Sequence, residues 1–273
     1  MRRLFIAVMM ALSMAAPGYA QNEDFPYPDL PDTLSRPEAR AEYLITHYWD
    51  HYDFADTTLA NKVAEQGFVN FLDLLPRFDS LTAVEGVERF VALAGEGGNA
   101  TVRHYFRDLT RHYLAQRDSP MRHDSLYALF LSTASLSPLI DEAERERCAA
   151  LARETLKNTI GTLASNFSYI DSEGRLTTLY DTEAKWTVVF FNDPDCERCR
   201  ETDAQLRAHP LLSHPDVRLL DVHPDEQTEA LYYLPSLPSL YLLDAHKKVV
   251  AKDVSVDALL STLSRLLSSP QPQ

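Results

Sequence analysis

A continuous apolar run followed closely by two cysteines constrains the fold of this chain more than any other feature. The run "WTVVFFN" (residues 186–192) is rich in β-branched and aromatic residues, which is typical of a buried central strand. The segment after it, "CERCRETDAQLRAHP", predicts a helix ending at Pro210, and "VRLLDV" predicts the next strand. A strand, a helix and a further strand form a βαβ unit, so we expect this part of the chain to be an α/β fold.

The cysteine pair lies where the helix of that unit should begin. At a helix N-terminus, unpaired backbone N–H groups and the helix dipole favour a thiolate, and we expect this environment for Cys196. A thiolate is the form that attacks a disulfide, and Cys199, one turn later, could resolve the mixed disulfide. The pattern therefore indicates dithiol–disulfide exchange, with Cys196 as the nucleophile and Cys199 as the resolving thiol.

Two other interpretations of the pair stay open. With His209 and His214 the cysteines give the spacing C-x2-C-x9-H-x4-H, which is close to that of a zinc site. The pair could also be a structural disulfide without turnover, since an oxidising compartment would close it. The placement after a buried strand favours exchange over zinc, and we predict neither a metal nor a cofactor.

Other candidate ligands and thiols have structural explanations. His47 and His51 have a metal-compatible spacing but no evident third ligand, so we interpret them as part of a polar and aromatic stripe on a helix. The third cysteine, Cys148, shares a helical face with Leu151 and Thr155 and is expected to be a small buried residue.

The N-terminal segment predicts export. Residues 1–20, "MRRLFIAVMMALSMAAPGYA", combine two arginines, an apolar core and small residues before Gln21, as a cleavable signal peptide does. The apolar core from Leu4 to Met14 is too short to span a bilayer. We therefore expect cleavage after Ala20 and a periplasmic mature protein that is not embedded in the membrane.

The charge of the chain excludes some classes of partner. The formal net charge is −14, and loss of two arginines with the signal peptide would leave 24 basic against 40 acidic residues. A chain this acidic should be repelled by nucleic acid, so we predict no nucleic-acid partner. Three cysteines are too few for a disulfide scaffold, so the fold should depend on hydrophobic cores.

The hydrophobic period divides the chain into two domains. After an extended, Pro- and Asp-rich leader (21–37), residues 38–158 show a helical period and predict about six helices. The first is expected to continue through "EARAEYLITHYWDHYDF", and Thr82 with Glu85 has the pattern of a capping box before another. Residues 159–273 then predict the order β-β-β-α-β-α-β-β-α. The predicted fold is an all-α domain followed by an α/β domain.

A proline directly before a predicted strand is a second feature that indicates a redox site at the cysteine pair. In "LPSLPSLYLLD", Pro238 precedes the apolar strand and faces the cysteine pair, the position of the cis-proline in thioredoxin folds. A cis bond there would expose the backbone of Leu237 to an extended substrate chain. We prefer Pro238 to Pro235 because the strand begins immediately after it.

These motifs resemble a known family. Residues 161–267 are similar to the thioredoxin fold of periplasmic TlpA/ResA-like proteins, on "SNFSYIDSEGRLTTLYD", "WTVVFFNDPDCERC" and "LPSLYLLDAHKKVV". The resemblance implies a thiol–disulfide oxidoreductase acting on protein thiols or disulfides, with Leu237 and Pro238 in the substrate groove. The helical part resembles, on "HYWDHYDFAD" and "SPMRHDSLY", a domain of unknown role that precedes such folds in secreted proteins of Gram-negative gut bacteria.

The departures from that family bear on the direction of the reaction. Asp195 replaces the usual Trp, and Phe190 replaces the buried Asp of thioredoxin, so the proton shuttle is not identified. Carboxylates disfavour a neighbouring thiolate and arginines favour one, which predicts a moderately lowered pKa for the nucleophile. The charged residues near it are Asp193, Asp195, Glu197, Arg198 and Arg200. We therefore expect a reductant that needs an unidentified membrane electron donor; the alternative is a non-catalytic binding module with the thioredoxin fold as scaffold.

Overall fold

The computed structural model describes residues 25–56, 62–171 and 173–268. The predicted signal peptide (1–20) lies outside these residues. A helical part is followed by an α/β part, in the predicted order. Among the described residues the helical part has six α-helices: α1 Pro37–Thr46, α2 Lys62–Leu74, α3 Ser80–Glu96, α4 Ala100–Ala115, α5 Asp124–Leu136 and α6 Glu142–Thr155. No helix in the described part of the chain has the length and apolar character needed to cross a membrane.

One aromatic cluster forms the core of the helical part. Trp49, almost fully buried, is its centre, and the ring centroids of Phe90, Phe106 and Phe71 lie 5.0, 5.4 and 5.8 Å from it. The predicted leader contributes to this core, because the ring of Phe25 lies 5.0 Å from Trp49. Aromatic side chains bury large areas, so this cluster supplies much of the apolar burial of the domain.

Two local predictions in the helical part are wrong. Helix α1 ends at Thr46 instead of continuing through "HYWDHYDF", and the chain turns with an Asp50 N–H to His47 carbonyl bond of 3.1 Å. The turn carries the buried Tyr48 and Trp49 into the aromatic cluster, where both rings lie 5.0 Å from the ring of Phe25. Asp79, not Thr82, caps α3, because its carboxylate accepts the backbone N–H groups of Leu81 and Thr82.

The α/β part contains a four-stranded sheet and a small hairpin. The sheet order is β4-β3-β5-β6, with β3 and β4 parallel and the other pairs antiparallel. The strands and helices of the α/β part are β1 Ser168–Ile170, β2 Leu176–Thr178, β3 Trp186–Phe191, α7 Glu197–Ala208, β4 Val217–Val222, α8 Glu226–Leu231, β5 Ser239–Leu243, β6 Val249–Ala251 and α9 Val256–Ser268. The antiparallel pair β1–β2 forms the hairpin. The predicted order of strands and helices is thus present.

Alternation along β3 places side chains in a core on each face of the sheet. Val189 and Phe191 pack on one face, and Val188 and Phe190 pack on the other, under α7 and α9. All four side chains are buried, which explains the unbroken apolar run in the sequence. The central strand ends at the loop that carries the cysteines, so the site is attached to a strand that is buried on both faces.

The two parts of the chain meet at polar contacts that we call the domain seam. On the helical side it comprises residues 117–124 and 155–158, and on the sheet side residues 229–231 and 252–253. Lys252 donates to the Thr155 carbonyl (2.5 Å), and the Asn158 amide donates to the Leu231 carbonyl (2.9 Å). The seam therefore connects the helical part to the end of β6.

Candidate redox site

Cys196 caps the helix that follows β3. Its backbone is extended (φ −86°, ψ 119°), and its sulfur accepts the backbone N–H of Cys199 at 3.2 Å. The Cys196 thiol is half-exposed, whereas Cys199 is only 2% exposed. Both are free thiols in this structure. A backbone donor thus points at the accessible sulfur, as the position at a helix N-terminus leads one to expect.

The environment shifts the pKa values of the two thiols in opposite directions. The hydrogen bond from the Cys199 thiol, helped by backbone N–H groups and the Arg198 guanidinium, lowers the pKa of Cys196. Burial, together with the hydrogen bond to Cys196, raises the pKa of Cys199. One thiol of the pair is therefore suited to ionise and the other to keep its proton.

An aspartate turn shapes the loop before the cysteines. The Asp193 carboxylate accepts the Asp195 N–H (2.8 Å), and the Asp193 carbonyl accepts the Cys196 N–H (3.1 Å). The Arg200 guanidinium donates to the Pro194 carbonyl (3.1 Å). Asp193 acts on the pKa of Cys199 in two opposite ways: its backbone hydrogen bond lowers this pKa, and the charge of its carboxylate raises it by less. Sequence reasoning treated Asp193 only as a neighbour of Cys196 and missed its contact with Cys199.

The predicted proline lies at the same end of the sheet. The Leu237–Pro238 peptide bond is cis, and a guanidinium nitrogen of Arg198, between the two cysteines, lies 3.5 Å from the Leu237 carbonyl oxygen. We call residues 237–239 the proline segment. Ser239, its last residue, donates its hydroxyl to the Asp253 carboxylate (2.8 Å). Sequence reasoning gave Asp253 no role.

A groove of about 250 Å³ runs beside this segment. Helix α7, the proline segment and the start of α9 form its walls, and one wall residue, Arg117, comes from the helical part. The lining residues are Arg117, Arg198, Glu201, Thr202, Gln205, Pro238, Leu240, Val254, Ser255 and Val256. No sequence signal identified Arg117, because it lies 136 residues before its partner Asp253.

The other candidate residues serve local structure. His209 and His214 each accept a backbone N–H, from Leu211 (3.3 Å) and Asp216 (3.2 Å). The His47 ring donates an N–H to the Asp50 carboxylate (2.7 Å) and stacks on Tyr43. The described residues contain no group of three or more His, Cys, Asp or Glu arranged to hold a metal ion.

The third cysteine lies away from this site. Cys148, in α6, packs against the core of the helical part, and burial raises the pKa of its thiol.

Comparison with known families covers the helical part first. A family model described as a domain of unknown function (DUF5106) matches residues 9–158, which is more than half of the chain. The chain belongs to this family. The match covers helices α1–α6 and does not extend to the cysteine pair. No curated protein matches the chain.

Solved structures resemble the whole chain or its second part. A thioredoxin-like protein from Bacteroides caccae is 30% identical, with 91% of this chain and 100% of that chain covered and a TM-score of 0.67. The C-terminal domain of an uncharacterised Bacteroides fragilis protein is 30% identical over 40% of this chain and 99% of its own, with a TM-score of 0.37. The thioredoxin domain of a Bacteroides vulgatus thiol-disulfide oxidoreductase is 20% identical over 40% and 99%, also with a TM-score of 0.37.

The first of these structures spans both parts of the chain. It confirms the predicted fold class, an all-α domain followed by an α/β thioredoxin fold. The predicted resemblance to thioredoxin-fold proteins with a preceding helical domain is confirmed with it. From here we call the two parts the helical domain and the thioredoxin-like domain.

Proposed function

We propose that this protein is a thiol–disulfide oxidoreductase that reduces disulfides in protein substrates. The observation that carries the proposal is the asymmetry of the pair: a half-exposed Cys196 thiol with a lowered pKa, hydrogen-bonded to a buried Cys199 with a raised pKa. Only the thiolate attacks a disulfide, so Cys196 is the nucleophile. Burial protects Cys199 from substrates and reserves it for the second step.

The reaction follows from these two roles. The Cys196 thiolate attacks one sulfur of a substrate disulfide, the substrate S–S bond breaks, and the other substrate sulfur leaves as a thiolate. Cys199 then loses its proton and attacks the Cys196 sulfur, which releases the second substrate thiolate. The substrate has gained two electrons, and the protein holds a Cys196–Cys199 disulfide. An external dithiol donor must reduce that disulfide before the next cycle, and in the periplasm we expect a membrane electron donor.

The direction of the reaction follows from the charges around Cys196. A strong oxidant stabilises its thiolate with a very low pKa. Here one arginine and the helix N-terminus favour the thiolate within a loop that carries Asp193, Asp195 and Glu197. We expect a reduction potential nearer the thioredoxin value of about −270 mV than the strong-oxidant value of about −120 mV. Equilibration with glutathione buffers measures it, and a value above about −180 mV would contradict the reducing role.

We also propose that the protein works in the periplasm. The support is the signal-peptide pattern of residues 1–20. N-terminal sequencing of the exported protein should begin at Gln21, and an N-terminus at Met1 would contradict export by this segment.

A trapping experiment tests the exchange activity. Cys199→Ser leaves the nucleophile intact and removes the resolving thiol, so we expect stable mixed disulfides with substrate proteins that a reductant releases. Cys148→Ser is the matched control, since Cys148 packs in the helical core, and it should trap nothing. Cys196→Ala should form no adducts under this mechanism. Partner binding that is unchanged in Cys196→Ala, together with no adducts in Cys199→Ser, would instead support a binding module. No adducts with Cys199→Ser, and no turnover by the wild-type protein, would overturn the proposed function.

A further inference from the structure

A carboxylate at the domain seam connects the helical domain to the proline segment. One oxygen of Asp253 accepts a guanidinium N–H of Arg117 (2.6 Å) and the hydroxyl of Ser239 (2.8 Å). The Asp253 side chain is 5% exposed, and Ser239 is fully buried. Buried hydrogen bonds to a charged group are stronger than those at a surface, so this chain of contacts is rigid.

The helical domain also contacts the backbone of Asp253. Its φ of +46° lies in the left-handed region, which a non-glycine residue adopts at some cost and keeps only when its surroundings fix it. The Arg122 guanidinium donates to its carbonyl (2.7 Å), so the helical domain contacts both the main chain and the side chain of this residue. The Val254 N–H donates to the Leu240 carbonyl (3.1 Å), which ties the turn to the start of β5.

Lys252, next to Asp253, connects the two domains through a fully buried ammonium group. The ammonium group lies 2.8 Å from an Asp124 carboxylate oxygen and 2.5 Å from the Thr155 carbonyl. It also lies 5.0 Å from the centre of the Tyr233 ring. Arg117, Arg122 and Lys252 therefore together connect this turn to the helical domain.

We propose that Arg117 of the helical domain is a positioning residue for polypeptide substrates of the redox site. Through Asp253 it holds Ser239, and with it the proline segment, at the wall of the groove that Arg117 itself lines. The inference rests on the proposed function for its kinetic readout. It gives the helical domain a part in the site: without this domain, the Asp253 carboxylate would lack its guanidinium partners.

The expected signature is selective for substrate size. A small soluble disulfide needs only the exposed sulfur of Cys196, whereas a polypeptide must also lie along the groove. Arg117→Met, which keeps the side-chain stem, should lower kcat/KM for reduction of a protein disulfide such as insulin by about tenfold or more, since a misplacement of about 1 Å can cost about 100-fold. The rate with a small aromatic disulfide should stay within about twofold, because no contact to the thiols is removed.

Two further variants guard against a trivial loss of folding. Arg107→Met is the matched control, because it removes an arginine that pairs with Glu144 (3.1 Å) within the helical domain, away from the seam. Ser239→Ala approaches the same link from the thioredoxin-like side without removing a charge. Its effect should not add to that of Arg117→Met, as expected for two groups in one chain of contacts.

The outcomes separate the positioning role from the proposed function. Equal losses for both disulfides, no loss with Arg117→Met, or full additivity with Ser239→Ala would each overturn the positioning role. If the wild-type protein reduces neither disulfide, the proposed function fails. Hydrogen exchange in peptides covering the proline segment then tests the link from Arg117 to this segment without any activity measurement. Faster exchange in Arg117→Met, but not in Arg107→Met, supports the link, and unchanged exchange overturns it.

Discussion

The two domains differ in where they bury charge. In the helical domain the buried core is aromatic and aliphatic, and ion pairs such as Asp50–Arg89 lie at the surface. In the thioredoxin-like domain, the residues around β6 include three buried charged groups, Lys247, Lys252 and Asp253. Across the described residues these are the only charged residues buried as a whole. The helical domain thus buries no charged residue as a whole among the described residues, while the thioredoxin-like domain fixes the end of its sheet by buried charged contacts.

The difference has a consequence for the redox site. Packing tolerates small shifts, because apolar contacts have no preferred direction, whereas buried hydrogen bonds to a charge fix distances and angles. The contacts of Asp253 and Lys252 lie at the end of the sheet that carries the proline segment. Directional contacts are therefore placed beside the proline segment, which the proposed function assigns to the substrate groove.

The largest expected effect tests how much the aromatic core stabilises the helical domain. Trp49→Ala removes the centre of the aromatic cluster, and we expect the free energy of unfolding of the helical domain to fall by about 3–5 kcal/mol. Denaturant unfolding followed by circular dichroism measures it. Leu136→Ala is the control, because that side chain is 81% exposed and should change stability by less than about 0.5 kcal/mol. Equal effects would show that the cluster is not the core.

The next effect tests the buried charge. Asp124→Asn leaves the fully buried Lys252 ammonium without its carboxylate, and we expect a loss of about 3 kcal/mol, since breaking a buried pair leaves an uncompensated charge. Glu144→Gln, which breaks the more exposed pair with Arg107, should cost less than about 1 kcal/mol. Thermal and denaturant unfolding compare the two. Losses of the same size would mean that the seam contributes no more than a surface pair.

The sequence predicted the structural features that are determined by residues close together in the chain. The strand–cysteine–helix order fixed the position of Cys196, because the apolar period of β3 and the helix signal of α7 are adjacent in the chain. The ends of helices were harder to predict. Helix α1 ends at Thr46, where the chain turns to carry Tyr48 and Trp49 into the aromatic cluster, and Asp79 takes the cap that Thr82 with Glu85 suggested.

The seam could not be predicted at all. Arg117 and Asp253 are one arginine and one aspartate among many, and nothing in a single sequence indicates which pair will meet. The burial of Phe25 within the leader is of the same kind, since its partners lie in a turn that the helical pattern did not predict. Contacts between distant segments depend on the fold, and the fold class alone does not specify them.

A third effect concerns a property that the two domains share, buried tyrosine. Burial raises the pKa of Tyr127 to about 12 from 10.0. The unfolded chain therefore ionises first, and this contribution to stability is complete below pH 10 and is lost as the pH rises to about 12. The loss should be about 1.4 kcal/mol at pH 11 and roughly 2–3 kcal/mol above pH 12, and Tyr127→Phe should not show it. Unfolding of both proteins between pH 8 and about pH 11 measures the difference, since the other titrating groups cancel; parallel curves would contradict it.

The smallest expected effect compares one cysteine from each domain. The hydrogen bond from the Cys199 thiol is the main cause of the lowered pKa of Cys196, while burial raises the pKa of Cys148 in the helical core. Alkylation by iodoacetamide proceeds through the thiolate, so its rate should rise with pH at a lower midpoint for Cys196 than for Cys148.

Cys199→Ala should raise the Cys196 midpoint and slow its alkylation at neutral pH, by less than about tenfold, which corresponds to one pKa unit. The Cys148 midpoint should not move, since its shift has a separate cause. Mass spectrometry of the alkylated peptides reports both cysteines in one sample. An unchanged Cys196 midpoint would show that the helix N-terminus and Arg198, rather than the partner thiol, set the ionisation of Cys196.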